Sequence, residues 1–246
     1  PPIPQSLDYH QFADARTLIG VPNFFNVASN FPFLLVGVIG IGFLLKKEGR
    51  ESFLDSRERW AYAIFFAGVA FTSIGSSYYH LAPDNDRLFW DRLPMTLGFM
   101  SVFAAVISER VSLKAGRRLL APLLAIGLAS VLYWRVTEAA GEGDLRLYAI
   151  VQFYPLLAIP AMLALFPPRY TRGGEFVASL AVYGAAKVFE LIDAQIFSAG
   201  LFLSGHSLKH AVAALSALVI LGMLRKRKPL ALREAQSIST VRCEPL

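Results

Sequence analysis

The sequence predicts an all-α integral membrane protein, folded as a bundle of seven transmembrane helices. Hydrophobic residues make up 55% of the 246 residues and charged residues 17%, a balance too apolar for an ordinary soluble domain. The mean hydropathy is +0.48. Seven apolar runs bounded by charged residues approach the length of about 20 residues that a bilayer core requires. There is no strand-like alternation, internal repeat or second domain, so these runs predict one membrane domain.

The predicted spans follow one another with short connections. Pro122, Pro155 and Pro160 lie inside them, which membrane helices tolerate where neighbouring helices satisfy the freed backbone groups. Residues 1–28 then form an N-terminal outer segment, 29–224 the membrane domain, and 225–246 a polar tail that we expect to be disordered. The spans are 29–45, 60–80, 93–108, 119–137, 147–166, 176–203 and 207–224.

Basic residues predict the orientation of the bundle. Alternate connections carry basic clusters, at 46–59, 114–118, 169–172 and 225–228, whereas the intervening ones have only scattered charges. By the positive-inside rule, the N-terminus is outside and the C-terminus is cytoplasmic. The net charge of +6 does not predict nucleic-acid binding, because the basic residues fall between apolar runs without zinc-finger spacing or interleaved aromatic residues.

Three of the four histidines lie at the outer ends of predicted membrane helices, where they suggest a metal site. His206 and His210 are four residues apart, so both imidazoles project from one face of a helix. His80 ends the second apolar run. The single cysteine, Cys243, cannot form a thiolate cluster, so nitrogen and oxygen must supply the ligands. Three neutral imidazoles leave a tetrahedral position of Zn²⁺ open for water, which is the arrangement of a catalytic site.

Ser76 and Asp91 are the predicted catalytic partners of this site. Ser76 lies one helical turn before His80, and Asp91 follows after a short connection that makes the two helices neighbours. Asp91 would carry a proton between water and leaving group, while Ser76 would stabilise the oxyanion. Simpler interpretations stay open. The histidines suit a membrane interface, Asp91 could be the N-cap of the third helix, and Ser76 could bond a carbonyl one turn back.

The sixth predicted span contains a second ionisable set, formed by Lys187, Glu190 and Asp193. Ionisable groups at this depth are costly and usually pair or serve a function. Lys187 and Glu190 are one turn apart, which favours an ion pair. Asp193 lies nearer the outer side and could bond a ligand histidine. A proton or ion pathway through the three residues is the remaining alternative.

The site motifs resemble those of the alkaline ceramidase family and, more broadly, of the CREST superfamily of membrane hydrolases, which also includes the adiponectin and progestin receptors. The segment 22–30 is also similar to the entry segment of that family, so the resemblance extends from residue 23 to residue 210. The motifs that carry it are Ser76-x-x-x-His80, Asp91 within Trp-Asp-Arg-Leu-Pro-Met, and His206-x-x-x-His210.

The resemblance implies a zinc-dependent amidohydrolase that cleaves a ceramide-like lipid to a fatty acid and a sphingoid base. It implies that His80, His206 and His210 hold the zinc beside Ser76 and Asp91. Because of its short loops and the ionic set in its sixth span, the chain resembles a bacterial member of the family. The resemblance therefore implies a location in the inner membrane, with the zinc site towards the periplasm. A receptor or lipid sensor with zinc but without hydrolysis is the alternative, since the receptor branch shares the motifs. The oligomeric state stays open.

A calcium site is a further feature of the eukaryotic ceramidases, formed by an acidic N-terminal segment. Here that segment offers Asp8 and Asp14, but also His10 and Arg16. It lacks the family's denser acidic pattern, which argues against dependence on Ca²⁺.

Overall fold

The computed structural model of the protein describes residues 1–230, and most of these residues are helical. A short 3₁₀-helix, Leu7–His10, precedes the main helices, and a π-helical turn, Ile107–Val111, follows the fifth. No β-strand forms within the described part of the chain. Ten α-helices lie there: α1 (Phe24–Ala28), α2 (Phe31–Leu45), α3 (Lys47–Glu51), α4 (Arg59–Leu81), α5 (Asn85–Val106), α6 (Leu113–Ala139), α7 (Arg146–Leu165), α8 (Gly174–Leu191), α9 (Asp193–Ser198) and α10 (Gly205–Lys226).

Six helical segments within residues 1–230 are long and apolar enough to cross a membrane: α1 with α2, α4, α5 with its π-helical turn, α6, α7 and α10. The predicted span 176–203 is divided instead, because α8 ends at Leu191 and α9 begins at Asp193. The 18 residues of α8 also include Glu175, Lys187 and Glu190, which lowers its apolar character. The chain is thus compatible with a multi-pass integral membrane protein.

Large apolar side chains are exposed along the outside of these helices. Phe71 and Ile74 on α4 are 56% and 60% exposed, and Leu157 and Leu165 on α7 are 76% and 77% exposed. Apolar surfaces of this kind suit contact with lipid rather than with water.

The core forms where α4 packs between α2 and α5, while α10 packs against α8. Phe66 of α4 is fully buried, and it lies so close to Gly40 of α2 that a Cβ at that glycine would be 2.3 Å from its ring. The missing side chain therefore lets the two helices approach. A second apolar cluster surrounds Tyr79 and Trp134, near the end of α4 that carries His80.

The start of α5 differs from the prediction. The helix begins at Asn85, eight residues before the predicted boundary, and its N-cap is Asp84, which accepts a hydrogen bond from the Arg87 N–H at 2.7 Å. Asp91 is therefore inside the helix, so the interpretation of Asp91 as an N-cap is wrong.

The beginning of the predicted disordered tail is ordered. α10 continues to Lys226, and the next residue, Arg227, is buried against Glu109. The backbone N–H of Leu230 donates to Arg169 O at 3.0 Å. The prediction was wrong for residues 225–230, because a buried partner holds Arg227 in place. The rest of the predicted tail, 231–246, lies outside the described residues.

Candidate metal centre and its cavity

The three predicted metal ligands come together at one end of the bundle. His80 lies in the last turn of α4, and His206 and His210 lie in the first two turns of α10. One potential ligand atom from each residue lies within 4.8 Å of those of the other two, and all three side chains are buried. The Nε2 atoms of His80 and His210 are 3.3 Å apart. This histidine cluster could hold one metal ion.

The start of α10, which positions two of these histidines, is fixed by polar side chains. Ser204 is the N-cap and accepts from the Ser207 N–H at 3.3 Å. Asp193 accepts from the His206 N–H at 2.7 Å, and the Ser207 hydroxyl donates to Asn26 Oδ1 at 2.8 Å. The free N–H groups of His206 and Ser207 are satisfied in this way, which holds the helix end in place.

Each imidazole has different neighbours beyond the cluster. Nδ1 of His210 is 2.8 Å from the Ser29 hydroxyl, and Nε2 of His206 is 3.1 Å from the Lys209 ammonium. Nδ1 of His80 has no hydrogen-bond partner among residues 1–230. Nε2 of His206 has one lone pair, so it cannot accept from Lys209 and ligate a metal at the same time. If that atom is the ligand, metal binding leaves the Lys209 ammonium to Glu190, whose Oε1 is 3.0 Å away.

The N-terminal segment covers the histidine cluster. The ring of Phe12 lies 4.7 Å from the His80 ring and 4.5 Å from the His206 ring, measured between centroids. His10, the fourth histidine, lies outside the cluster, with Nδ1 at 2.9 Å from the Tyr79 hydroxyl and Nε2 at 2.9 Å from Asn85 Oδ1. Phe12 therefore separates part of the cluster from solvent, and His10 serves to hold the segment on α4 and α5.

The two N-terminal aspartates do not meet. Asp14 forms an ion pair with Arg16 at 2.7 Å, whereas Asp8 lies at the exposed 3₁₀-helix. The hydrogen bond from Arg16 lowers the pKa of Asp14 below its ordinary value. Asp14 is therefore occupied by a guanidinium rather than offered to a cation.

Ser76 of α4 and Asp91 of α5 lie where the two helices approach each other closely. Both side chains are buried. The neighbouring Gly75 permits this approach, since a Cβ there would lie 2.1 Å from the Trp90 carbonyl oxygen. Ser76, Asp91 and His210 line one cavity of about 240 Å³. The structure thus brings the predicted catalytic pair to the cavity that borders the histidine cluster.

The ion pair predicted between Lys187 and Glu190 is present, and it belongs to a larger network on the same cavity wall. Glu190 also pairs with Lys209, and it accepts from the Tyr9 hydroxyl at 3.1 Å. Burial and the nearby Glu190 carboxylate raise the pKa of Tyr9 well above its ordinary value, so its hydroxyl stays protonated and donates. Asp193 lies outside this network, because its carboxylate binds the backbone N–H groups of Ala13 and His206 and not an imidazole.

A second cavity, of about 120 Å³, lies next to the polar one and is lined mostly by apolar residues. Phe65, Phe99 and Ile159 are among its walls. The two cavities share six lining residues: Phe33, Thr72, Met95, Gln152, Tyr183 and Ala213. A polar chamber beside the histidines thus lies next to an apolar chamber, which suits a ligand with one polar and one apolar end.

Three residues of the site were not assigned to it from the sequence. Lys209 lies between the two α10 histidines, Arg92 follows Asp91, and both line the polar cavity. Lys209 lies within the His206-x-x-x-His210 motif and Arg92 within Trp-Asp-Arg-Leu-Pro-Met, so the sequence could have indicated that both belong to the site. Tyr9 reaches Glu190 from 181 residues away, and nothing in its local sequence indicates that contact.

Comparison with known proteins does not identify a family for this chain: no protein-family model and no curated protein matches it.

Proposed function

We propose that the protein is a zinc-dependent intramembrane amidohydrolase of the alkaline ceramidase type. It cleaves the amide bond of a ceramide-like N-acyl lipid to a fatty acid and an amine such as a sphingoid base. The observation that carries this proposal is the buried group of His80, His206 and His210 beside a cavity lined by Ser76 and Asp91. The resemblance of these motifs to the ceramidase family supports the same reaction.

The donor set fits zinc. Three imidazole nitrogens without a thiolate match the three protein ligands typical of catalytic zinc sites, and two of these nitrogens lie 3.3 Å apart. Their burial favours a cation that can use their lone pairs. A bound zinc ion supplies Lewis-acid chemistry, since it polarises a carbonyl and makes water a stronger acid.

Asp91 and Ser76 move and hold the proton in this reaction. The Asp91 carboxylate accepts a proton from the attacking water as the new C–O bond forms, and returns it to the amide nitrogen as the C–N bond breaks. The Ser76 hydroxyl, which lines the same cavity as Asp91, can donate to the oxyanion. The products of this sequence are a carboxylic acid and an amine.

The paired cavities support a lipid as the substrate. The apolar chamber can take part of an acyl chain, while the polar chamber takes the amide and the head group. In this proposal the amide lies in the polar chamber, which is the one that Ser76, Asp91 and His210 line.

The proposed membrane arrangement has seven spans, with α8 as the sixth, the N-terminus outside and the C-terminus cytoplasmic. The pairing of Lys187 with Glu190 supports α8 as a span, because mutual neutralisation lowers the cost of these side chains in a bilayer. The basic clusters support the orientation. In a bacterial inner membrane, the histidine cluster then faces the periplasm.

Metal analysis combined with ceramide hydrolysis tests the proposal. We expect about one zinc per chain in the wild type. His80→Ala and His206→Ala should lose both metal and turnover, because two imidazoles bind zinc far more weakly than three. His10→Ala is the matched control, and it should keep the metal because His10 is hydrogen-bonded outside the cluster. Turnover that persists in a metal-free variant would contradict the mechanism.

A zinc-containing lipid sensor without significant hydrolysis is a second candidate, and the position of Phe12 favours it. Its ring covers His80 and His206, which limits the access of water to the cluster. Zinc in the wild type without hydrolysis of any lipid amide would support this candidate over the hydrolase.

A further inference from the structure

The polar cavity contains a buried guanidinium that lacks an anionic partner. Arg92 is 6% exposed and lines this cavity. Its Nη2 donates to Gln5 Oε1 at 2.5 Å, whereas its Nη1 has no hydrogen-bond partner in the described part of the chain. The guanidinium also lies over the rings of Trp134 and Tyr148, at 4.5 and 4.9 Å from their centroids. No carboxylate among residues 1–230 forms an ion pair with it.

A buried charge with this environment is costly, because rings and one neutral amide replace only part of its hydration. The same cavity wall includes Lys187 and Lys209, which share the single carboxylate of Glu190. With Asp91, two carboxylates therefore face three cations around the cavity. Its lining is complementary to one further negative charge.

We propose that Arg92 binds an anionic group of the substrate, a carboxylate or a phosphate, carried by the amine part of the acyl amide. The inference rests on the proposed amide hydrolysis and names its substrate class: N-acyl amines with an acidic head group, rather than a neutral ceramide. A guanidinium offers two parallel N–H groups to such an anion, and Nη1 is the donor still available here.

The size of the cavity sets where the anion lies on the substrate. Arg92 lines the same space of about 240 Å³ as Ser76, Asp91 and His210. Because Arg92 also follows Asp91 directly in α5, we expect an amide at the catalytic pair and an anion at Arg92 to lie close together on the substrate. The acyl chain occupies the adjoining apolar cavity, so the anion belongs to the amine part, as in an N-acyl amino acid.

The experiment compares three amides of one acyl chain with zinc-loaded protein in detergent: N-dodecanoylglycine, N-dodecanoylethanolamine phosphate and neutral N-dodecanoylethanolamine. We expect kcat/KM for an anionic amide to exceed that for the neutral one by about 10- to 100-fold, the range of one charge-assisted hydrogen bond. Preference for the first or the second anion tells carboxylate from phosphate. Equal kcat/KM on all three amides would overturn the anion site and leave the hydrolase intact.

Substitutions of Arg92 test whether this residue causes the preference for anionic amides. In Arg92→Gln the ratio of anionic to neutral kcat/KM should fall towards one, and in Arg92→Lys, which keeps the charge but loses the planar fork, it should fall part of the way. Arg87→Gln is the matched control, since Arg87 lies on the same helix and pairs with Asp84 at the surface. A ratio that stays at the wild-type value in Arg92→Gln would overturn the proposal.

Binding of the unreactive probes dodecanoate, dodecyl phosphate and dodecanol tests the anion site separately from the proposed hydrolysis. Tighter binding of an anionic probe that depends on Arg92, without hydrolysis of any amide, would contradict the hydrolase and support the anion site. If Arg92→Gln does not fold, the wild type and Arg92→Lys still decide the outcome.

Discussion

Two buried polar clusters lie at opposite ends of α4, and they differ in the partners of their charged groups. At the start of α4 is the arginine cluster, in which Arg227 forms an ion pair with Glu109 and packs over Tyr170 at 4.1 Å. Tyr62 donates to the same Glu109 at 2.6 Å. Glu58 accepts from Tyr170 and pairs with Arg169 at 3.1 Å. Every charged group of this cluster has an opposite charge from another part of the chain.

At the other end of α4, near the histidine cluster, the buried charges are balanced differently. We call this region the histidine end. Arg92 is buried over aromatic rings as Arg227 is, yet its only side-chain acceptor among the described residues is the amide of Gln5. The polar cavity adjoins this end, and neither it nor the apolar cavity is lined by Glu58, Glu109 or Arg227. We infer that the arginine cluster holds the helices together, whereas the histidine end leaves charge and space for a ligand.

Asp91→Asn should have the largest effect, on turnover at the histidine end. The amide cannot accept a proton, so kcat should fall by about 10²- to 10⁴-fold, the usual contribution of general acid–base catalysis. Zinc content and thermal stability should stay near the wild-type values. Hydrolysis assays and metal analysis on the same preparation measure this.

Asp86→Asn is the control for that variant, because Asp86 is an exposed residue of α5 that pairs with Arg135. Normal turnover in Asp91→Asn would show that proton transfer does not depend on this carboxylate.

Glu109→Gln should destabilise the protein by about 3–5 kcal/mol, because it leaves Arg227 buried without its counter-charge. Zinc content at low denaturant should not change, since the histidines lie at the far end of α4 and α10. Denaturant-induced unfolding in detergent measures the loss. Glu51→Gln, at an exposed residue that pairs with Lys47, is the control and should change stability very little.

A double variant sharpens this assignment. Replacing both members of the pair, Glu109→Leu with Arg227→Met, should restore part of the stability because no uncompensated charge remains. A loss in the double variant that equals the sum of the two single losses would mean that the ion pair is not what holds this end.

Gly75→Ala should have an intermediate effect, of about 1–3 kcal/mol, because its Cβ would overlap the Trp90 carbonyl oxygen at 2.1 Å. Separation of α4 from α5 would also move Asp91 away from Ser76, so turnover should fall more than metal content. Gly42→Ala is the matched control, since a Cβ there has no neighbour within 4 Å. Equal stability and turnover in the two variants would show that this helix contact does not position Asp91.

The sequence could predict the histidine cluster because its signals are local. His206 and His210 are one turn apart, and the ends of apolar runs indicate which residues share a side of the membrane. The Arg227–Glu109 pair had no such signal. Arg227 belongs to a basic run of the kind that flanks membrane helices, and its partner is 118 residues away in the chain. The break after Leu191 was also missed, because apolar residues continue on both sides of it.

The smallest expected effect is a dependence of stability on pH, which arises from Asp14 in the N-terminal segment. The Asp14 side chain is 1% exposed. The side-chain amide of Asn26 donates to the backbone carbonyl of Asp14 and accepts from the Ser207 hydroxyl at the start of α10. The Arg16 hydrogen bond lowers the pKa of Asp14 in the folded protein. The stabilisation by this pair is therefore complete above the unfolded-state pKa of about 4, and it is lost as pH falls through the lower folded-state value.

The difference in melting temperature between the wild type and Asp14→Asn measures this contribution. It should be constant near neutral pH and shrink at strongly acidic pH, and it should be small because the Arg16 side chain is 40% exposed. Asp8→Asn, at an exposed carboxylate, provides the baseline. No difference from the wild type at any pH would mean that Asp14 supports the segment through its backbone bond to Asn26 alone. The histidine end would then be held by neutral hydrogen bonds on its N-terminal side, in contrast to the charged pairs of the arginine cluster.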